Sequence, residues 1–201
     1  MKNSFPEFWQ ERYIKGNIPW DTKNTTSELV NSIDHTFSKK IAILGCGYSR
    51  DSVFLSSKGH KVYAIDFAKK PIDYLNSIII KSGLKTLFPI QEDIFNLKSQ
   101  YSEFFDIVIE YTCFCAIDPQ KRPLYAQVVK DILNKNGQFI ALFFPIKKNI
   151  ENLNDGPPFY VNLEETLSLF ENNFNFVKID DNPNSIKPRK GFEALTIMEK
   201  K

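Results

Sequence analysis

Apolar residues along the chain fall into short β-branched runs separated by stretches with helical spacing. Ile41-Ala42-Ile43-Leu44 is the first such run and predicts a buried strand. Arg50 to Lys58 reads as a short helix closed by Gly59. Lys61 to Asp66 is a second strand. Pro71 to Lys81 is a helix, with proline in its first turn and Gly83 just past its end. Thr86 to Ile90 and Asp106 to Tyr111 are the third and fourth strands. Asp118-Pro119 reads as an N-cap and N1 pair opening an amphipathic helix to about Asn134, with Gly137 beyond. Gln138 to Phe144 is a fifth strand, stopped by Pro145, and a long loop runs on through Asn154-Asp155-Gly156-Pro157-Pro158. Asn162 with Glu165 forms a capping-box pattern for a helix to about Phe170. Phe174 to Ile179 and Gly191 to Met198 are the last two strands. Two helical segments, about Pro6–Lys15 and Ser27–Phe37, precede the first strand.

Strands alternating with helices give a parallel sheet covered on both faces. The last two strands are joined by residues 180–190 alone, too short and too rich in Pro and Asn for a crossover helix, so they pair antiparallel. That α/β layout, a Rossmann-like sheet with a C-terminal antiparallel strand, is what a class I S-adenosylmethionine-dependent methyltransferase looks like. The expected organisation is one domain, with residues 1–38 a helical flap and 39–201 the core.

Composition narrows the picture further. The chain has 201 residues, 42% hydrophobic and 25% charged, enough for one α/β core. With 26 Lys and Arg against 24 Asp and Glu, the formal charge is +2, too close to neutral for a nucleic-acid surface. No apolar run is long enough for a membrane helix, and the N-terminus lacks the apolar core of a signal peptide. Cys46, Cys113 and Cys115 are odd in number and set in apolar surroundings, which fits buried, reduced thiols in a cytoplasmic protein. Cys113 and Cys115 are too few and too close for a zinc site, so no metal is expected. The near-neutral surface and single domain point to a monomer acting on a small molecule.

Gly45-Cys46-Gly47 directly follows the first strand and leads into a helix. A glycine turn there lets backbone approach a ligand, framed by a helix N-terminus and strand ends. Asp66 ends the second strand about twenty residues on, where an acid accepts hydrogen bonds from ribose hydroxyls. The competing reading is a tight turn with a solvated strand-end acid. The pattern serves both dinucleotides and S-adenosylmethionine. Three features favour the second: Tyr48-Ser49-Arg50 supplies no third glycine, no separate substrate domain exists, and the terminal antiparallel strand fits. Glu92-Asp93-Ile94 follows the third strand, where a carboxylate and an apolar neighbour can hold a purine; equally, Asp93 can cap a turn. Glu110-Tyr111-Thr112 follows the fourth strand, beside the switch point. Trp9 and Tyr13 share one helix face at i,i+4, with Trp20 a few residues later. These aromatics can pack as core or form a flap whose faces favour a sulfonium cation.

Together these residues resemble the thiopurine S-methyltransferase family, and within it the halide/thiol methyltransferases. The stretches that carry the resemblance are Phe8-Trp9 through Pro19-Trp20-Asp21, Leu44 to Gly47, Gly59 to Asp66, Glu110 to Pro119 with Arg122, Gly156 to Tyr160, and Arg189-Lys190-Gly191. The resemblance implies that Trp9, Tyr13 and Trp20 form an aromatic wall of the cofactor pocket. It implies that Gly45 approaches the methionine part, Asp66 binds the ribose, Asp93 and Ile94 flank the adenine, and Tyr111 lines the wall near the sulfonium. One departure is Tyr13, where the halide/thiol relatives have tryptophan.

The chemistry so implied is transfer of a methyl group to a small thiol, thiopurine-like sulfur or halide. Such soft nucleophiles need no general base, and none is evident, so no catalytic side chain is assigned. His60 lies before the second strand, on the far edge, and His35 late in a helix. Arg189 is the candidate for holding an anionic acceptor, while Arg122 reads as structural. Two alternatives stay open: an O- or N-methyltransferase, which would call on a base such as Glu110 or Asp118, and a non-catalytic S-adenosylmethionine-binding protein.

Overall fold

The computed structural model describes residues 5–147 and 156–201. Two short helices lead in, α1 (Pro6–Lys15) and α2 (Ser27–Val30). The core alternates β1 (Lys40–Leu44), α3 (Arg50–Ser57), β2 (Lys61–Asp66), α4 (Lys69–Ser82), β3 (Leu87–Gln91), α5 (Lys98–Tyr101), β4 (Phe105–Tyr111), α6 (Arg122–Ile132) and β5 (Leu133–Phe143). It closes with α7 (Leu163–Ser168), β6 (Phe174–Asp180) and β7 (Ala194–Lys200). One seven-stranded sheet runs in the order β3-β2-β1-β4-β5-β7-β6. β1 to β5 pair in parallel, while β7 is antiparallel to both β5 and β6.

The strand pattern explains the two-sided core. Along β1 every residue from Ile41 to Leu44 is buried, because alternate side chains enter opposite layers. Ala42 and Leu44 join Val108, Phe139, Phe170 and the α6 residues Tyr125, Val129 and Ile132 on one face. Ile41 and Ile43 join Val62, Ile107 and Ile140 on the other, with Leu29, Leu55 and Leu75 from α2, α3 and α4. At α7 the Asn162 side chain accepts from the Glu165 amide at 3.2 Å and donates to its carboxylate at 3.0 Å, a polar lock across the first turn.

Three boundaries differ from the sequence expectation. The second helical segment stops at Val30 instead of reaching Phe37. Asp34 accepts from the Thr36 amide at 2.8 Å, a local turn that competes with helix. His35 is therefore not helical. Its Nδ1 lies 2.9 Å from Nε2 of buried His60, whose Nδ1 accepts from the Lys39 amide at 3.1 Å. The pair closes the amino-terminal edge of β1 and β2. Secondly, the helix expected from Asp118 starts as a 3-10 turn at Pro119–Lys121 and ends at Ile132. β5 begins at once, and Asn136-Gly137 sits in an irregular stretch of that strand instead of ending a helix. Thirdly, the last strand starts at Ala194, because Lys187–Arg189 forms a 3-10 turn ahead of it. Of the long loop after Pro145, Asn154 and Asp155 lie outside the described residues.

Candidate active site

Parallel pairing brings the carboxyl ends of β1 to β5 to one edge of the sheet. β1 and β4 are neighbours at the point where strand order reverses, the place where open α/β sheets take ligands. A cavity of about 600 Å³ opens there, within the usual range for small-molecule sites. The segment after each strand contributes: Gly45, Asp66-Phe67, Glu92 to Phe95, Thr112-Cys113 with Cys115 to Asp118, and Phe144. Trp9, Arg12, Tyr13 and Pro19 to Thr22 form the roof, and Pro157, Pro158, Ile186, Pro188 and Arg189 the far wall.

Asp66 closes β2 and is only 5% exposed. Its carboxylate accepts from the Gly47 amide and the Ala68 amide, each at 2.9 Å. Burial pushes its carboxyl up to about 6, against the pull of those two amides. The acid thus fixes the glycine turn and also lines the cavity. Gly45 and Gly47 both have positive φ, +57° and +53°. Ligand approach accounts for these glycines from sequence; the structure adds a protein reason. A Cβ on Gly45 would lie 2.6 Å from Cys113 Sγ, and one on Gly47 would lie 2.9 Å from the Tyr13 hydroxyl.

The aromatic roof is one interlocked cluster. Trp20 meets Trp9 edge-on at 5.3 Å and Tyr13 at 5.8 Å. Tyr13 meets Tyr48 at 5.2 Å. α1 is tied to the core where Gln10 accepts from the Lys70 amide at 2.8 Å. Behind it, Asp51 accepts from the Thr26 amide at 2.6 Å, and Arg50 lies 3.6 Å from Asp21. The Trp9, Tyr13 and Trp20 rings line the cavity and pack on one another, with Tyr13 alone among the three buried.

At the β3 end, Asp93 accepts from the Phe95 amide at 3.0 Å, so it caps a turn and also faces the cavity beside Ile94. Tyr111 stands apart from the main cavity. It lines a smaller pocket of about 70 Å³ that shares Trp20, Gly45 and Thr112 with the first. Its hydroxyl donates to Glu193 Oε1 at 2.9 Å, and burial holds the phenol well above its ordinary value.

Arg189 is held on every side. Its guanidinium lies 4.8 Å from the Tyr111 ring and 4.7 Å from the Phe144 ring. It reaches Glu193 at 3.4 Å and donates to the Trp20 carbonyl at 2.9 Å. Arg122 sits over the Phe114 ring at 4.7 Å and donates to the Tyr160 carbonyl at 2.9 Å, outside the cavity lining. Glu110 is fully enclosed, accepting from the Phe114 amide at 2.7 Å and the Tyr125 hydroxyl at 2.8 Å. Burial pushes it up to about 7. Cys113 and Cys115 line the cavity as free thiols, and burial pushes Cys115 up to about 12. Among the described residues no group of three His, Cys, Asp or Glu side chains could hold a metal.

Of the residues singled out from sequence, Trp9, Tyr13, Trp20, Gly45, Asp66, Asp93, Ile94 and Arg189 converge on this one cavity. Sequence reasoning missed Arg12, Phe67, Phe144, Ile186 and Glu193. Arg12 was legible, at i+3 from Trp9 on the same helix face. Glu193 lies four residues from its ion-pair partner Arg189, but its other partner, Tyr111, comes from a distant segment of the chain.

A Rossmann-like sheet with this strand order, an acid closing β2 and its cavity at the switch point defines an S-adenosylmethionine-dependent methyltransferase of class I. Solved structures agree on the fold. The Burkholderia thailandensis 1,6-didemethyltoxoflavin-N1-methyltransferase, with bound S-adenosylhomocysteine, superposes with a TM-score of 0.72 at 17% identity, covering 98% of this chain and 86% of that one. TehB from Haemophilus influenzae gives 0.69 at 19% identity, over 96% and 67%. The chain belongs to the thiopurine S-methyltransferase family, whose model, Thiopurine S-methyltransferase (TPMT), matches residues 4–201. Similar relatives include thiocyanate methyltransferase 1 of Arabidopsis thaliana, 29% identical over 193 residues, covering 93% of this chain and 82% of the relative. A probable thiol methyltransferase 2 of the same plant is also 29% identical, over 191 residues, with the same coverage. The thiopurine S-methyltransferase of Vibrio campbellii is 24% identical over 184 residues, covering 82% and 81%.

Proposed function

We propose that this chain methylates a small soft nucleophile, a thiol, a thiopurine-like sulfur or a halide. S-adenosylmethionine, when bound, supplies an electrophilic methyl group on a sulfonium. The cavity's donor set fits it. Asp66 is an acceptor placed for ribose hydroxyls, and Asp93 with Ile94 offers an acceptor and an apolar face for the adenine. Trp9, Tyr13 and Trp20 bring aromatic rings to the cavity, where they favour a nearby cation, and Gly45 leaves room for the amino-acid end. Tyr111 backs this wall from the neighbouring pocket.

The observation that carries the acceptor reading is the far wall. Ile117, Phe144, Pro157, Pro158, Ile186 and Pro188 surround it with apolar surface, and Arg189 is the cation beside them. A nucleophile there sheds water easily and lies beside the Arg189 guanidinium, itself paired with Glu193, which suits a thiolate or halide. A hydroxyl or amine acceptor would need a base. Glu110 is enclosed by its own hydrogen bonds, and Asp118 is engaged in accepting from the Gln120 amide at 3.0 Å. These facts favour the soft nucleophile over the O- or N-methyl alternative.

Calorimetry should register S-adenosylhomocysteine binding that Asp66→Ala weakens strongly. Turnover should be measurable on a panel of thiols, thiopurines, hydrogen sulfide and iodide. Tight NADH binding without an S-adenosylmethionine signal would sink the reading. A cytoplasmic, monomeric enzyme acting on free small molecules and not on nucleic acid completes the proposal. It is supported by three unpaired cysteines and a formal charge of +2. Among the described residues no helix is long and apolar enough to cross a membrane.

A further inference from the structure

The far wall and the roof of the cavity are separate in sequence, yet one side chain joins them. Arg189 ends the 3-10 turn whose Ile186 and Pro188 line the far wall. Its Nη2 donates to the carbonyl of Trp20, whose ring belongs to the roof. That contact spans 169 positions of chain. A carbonyl is a modest partner for a buried cation, so something else must keep the guanidinium in place. Glu193 does so. It is 1% exposed, lies one turn of chain from Arg189, and meets it at 3.4 Å. Tyr111, at the end of β4, donates to the same carboxylate oxygen at 2.9 Å, which anchors Glu193 to the rigid sheet. The Tyr111 and Phe144 rings clamp the guanidinium at 4.8 and 4.7 Å. Sheet, carboxylate, guanidinium and roof carbonyl thus form a single chain of contacts.

We infer that Glu193 is a positioning residue that latches the aromatic roof through Arg189, and that the latch sets how fast the cofactor product leaves. The inference rests on the cavity being the cofactor site. Glu193 does not touch the cavity contents; it acts by fixing the direction of the Arg189 guanidinium. The roof also reaches the core through the Tyr13–Tyr48 ring contact, Gln10 to the Lys70 amide, Asp21 to Arg50 and Thr26 to Asp51. None of these links comes from the far wall of the cavity. The Arg189 contact does, to the Trp20 backbone carbonyl, and that is the wall against which an acceptor would sit. Occupation of the far wall is therefore transmitted to the roof, and opening the roof requires breaking a charge-assisted hydrogen bond.

Two variants separate this from a general packing role. Glu193→Gln keeps the shape and removes the charge. Arg189→Met keeps the apolar stem and removes the link. The test measures S-adenosylhomocysteine dissociation by stopped flow, with amide hydrogen exchange of the complex. Wild-type binding of S-adenosylhomocysteine comes first; its absence would remove the cofactor-site reading itself. Given that binding, both variants should release the product about tenfold faster or more, the order expected for one lost charge-assisted hydrogen bond. The amides of Trp20 to Thr22 should lose protection while those of β1 and β4 keep theirs. Glu193→Asp should restore part of the slow release. Unchanged dissociation in Arg189→Met overturns the inference. So does equal loss of protection across β1, β4 and the roof in both variants, because the pair would then belong to global stability.

Discussion

The glycine turn and the acid it meets decide most of what single residues do here. Asp66 carries a carboxyl raised to about 6, so its carboxylate form fades as pH falls through that value. S-adenosylhomocysteine affinity should drop as pH is lowered below about 6. Asp66→Asn should bind at least tenfold more weakly at pH 7.5 and lose that pH dependence, both read by calorimetry. Gly45 faces two constraints, a φ of +57° and a Cβ position 2.6 Å from Cys113 Sγ. Gly45→Ala should destabilise the protein by about 2–4 kcal/mol, part from backbone strain and part from overpacking. In a denaturant double-mutant cycle, Cys113→Ala should cost less in the Gly45→Ala background than in wild type, because it removes the Sγ contact at 2.6 Å while the Cys113 Cβ contact at 2.8 Å and the backbone strain remain. Gly45 was legible as a site residue from its place after a strand. The reason it must be glycine was not, because Cys113 comes from the loop after β4, far along the chain.

At the scale of elements, Glu110 fastens the end of β4 to the next loop and to α6. The carboxylate joins the Phe114 amide and the Tyr125 hydroxyl of α6, and burial raises it from 4.5 to about 7. A raised carboxyl stabilises the fold fully below the unfolded value and loses that contribution as pH rises through the folded one. Between about pH 4.5 and 7 the native state holds a proton the unfolded chain has released, so stability falls as pH rises across that window. Glu110→Gln should flatten this slope, and its melting temperature should fall less than that of wild type between about pH 5 and 8. Equal slopes would mean that Glu110 does not carry the dependence. Element placement matched the hydrophobic pattern closely for β1, β2 and α1, whose spacing and end signals are strong. It failed where local polar chemistry won, as at the Asp34–Thr36 turn that ends α2 early, and where Asn136-Gly137 serves an irregular strand instead of a helix stop.

The whole molecule is a sheet edge roofed by its own N-terminus, with apolar loops at one end and acids at the other. A site so built leaves ionisation to the acceptor. For a thiol, kcat/KM should rise with pH until the acceptor's own pKa, about 8.5 for an ordinary thiol. For iodide it should stay level above about pH 7, since a halide has no proton to lose. An essential ionisation below about pH 7 that appears with the thiol and not with iodide would assign a base and count against the soft-nucleophile reading. The parallel sheet and its antiparallel end were readable from alternation and from a connection too short for a helix; the order of the strands came only with the structure. So were Trp9, Tyr13, Trp20, Gly45, Asp66, Asp93, Ile94 and Arg189 as the residues to watch, because each sits at a strand end or on one helix face, or in a stretch with family resemblance. Local sequence dictates such positions through backbone geometry and periodicity. Their surroundings are another matter. That Arg189 is bound to Trp20, Tyr111 and Phe144, and that Phe144 and Ile186 line the same cavity, depends on side chains from distant segments meeting inside the fold. Burial and hydrogen-bond geometry fix those meetings only once the sheet has formed.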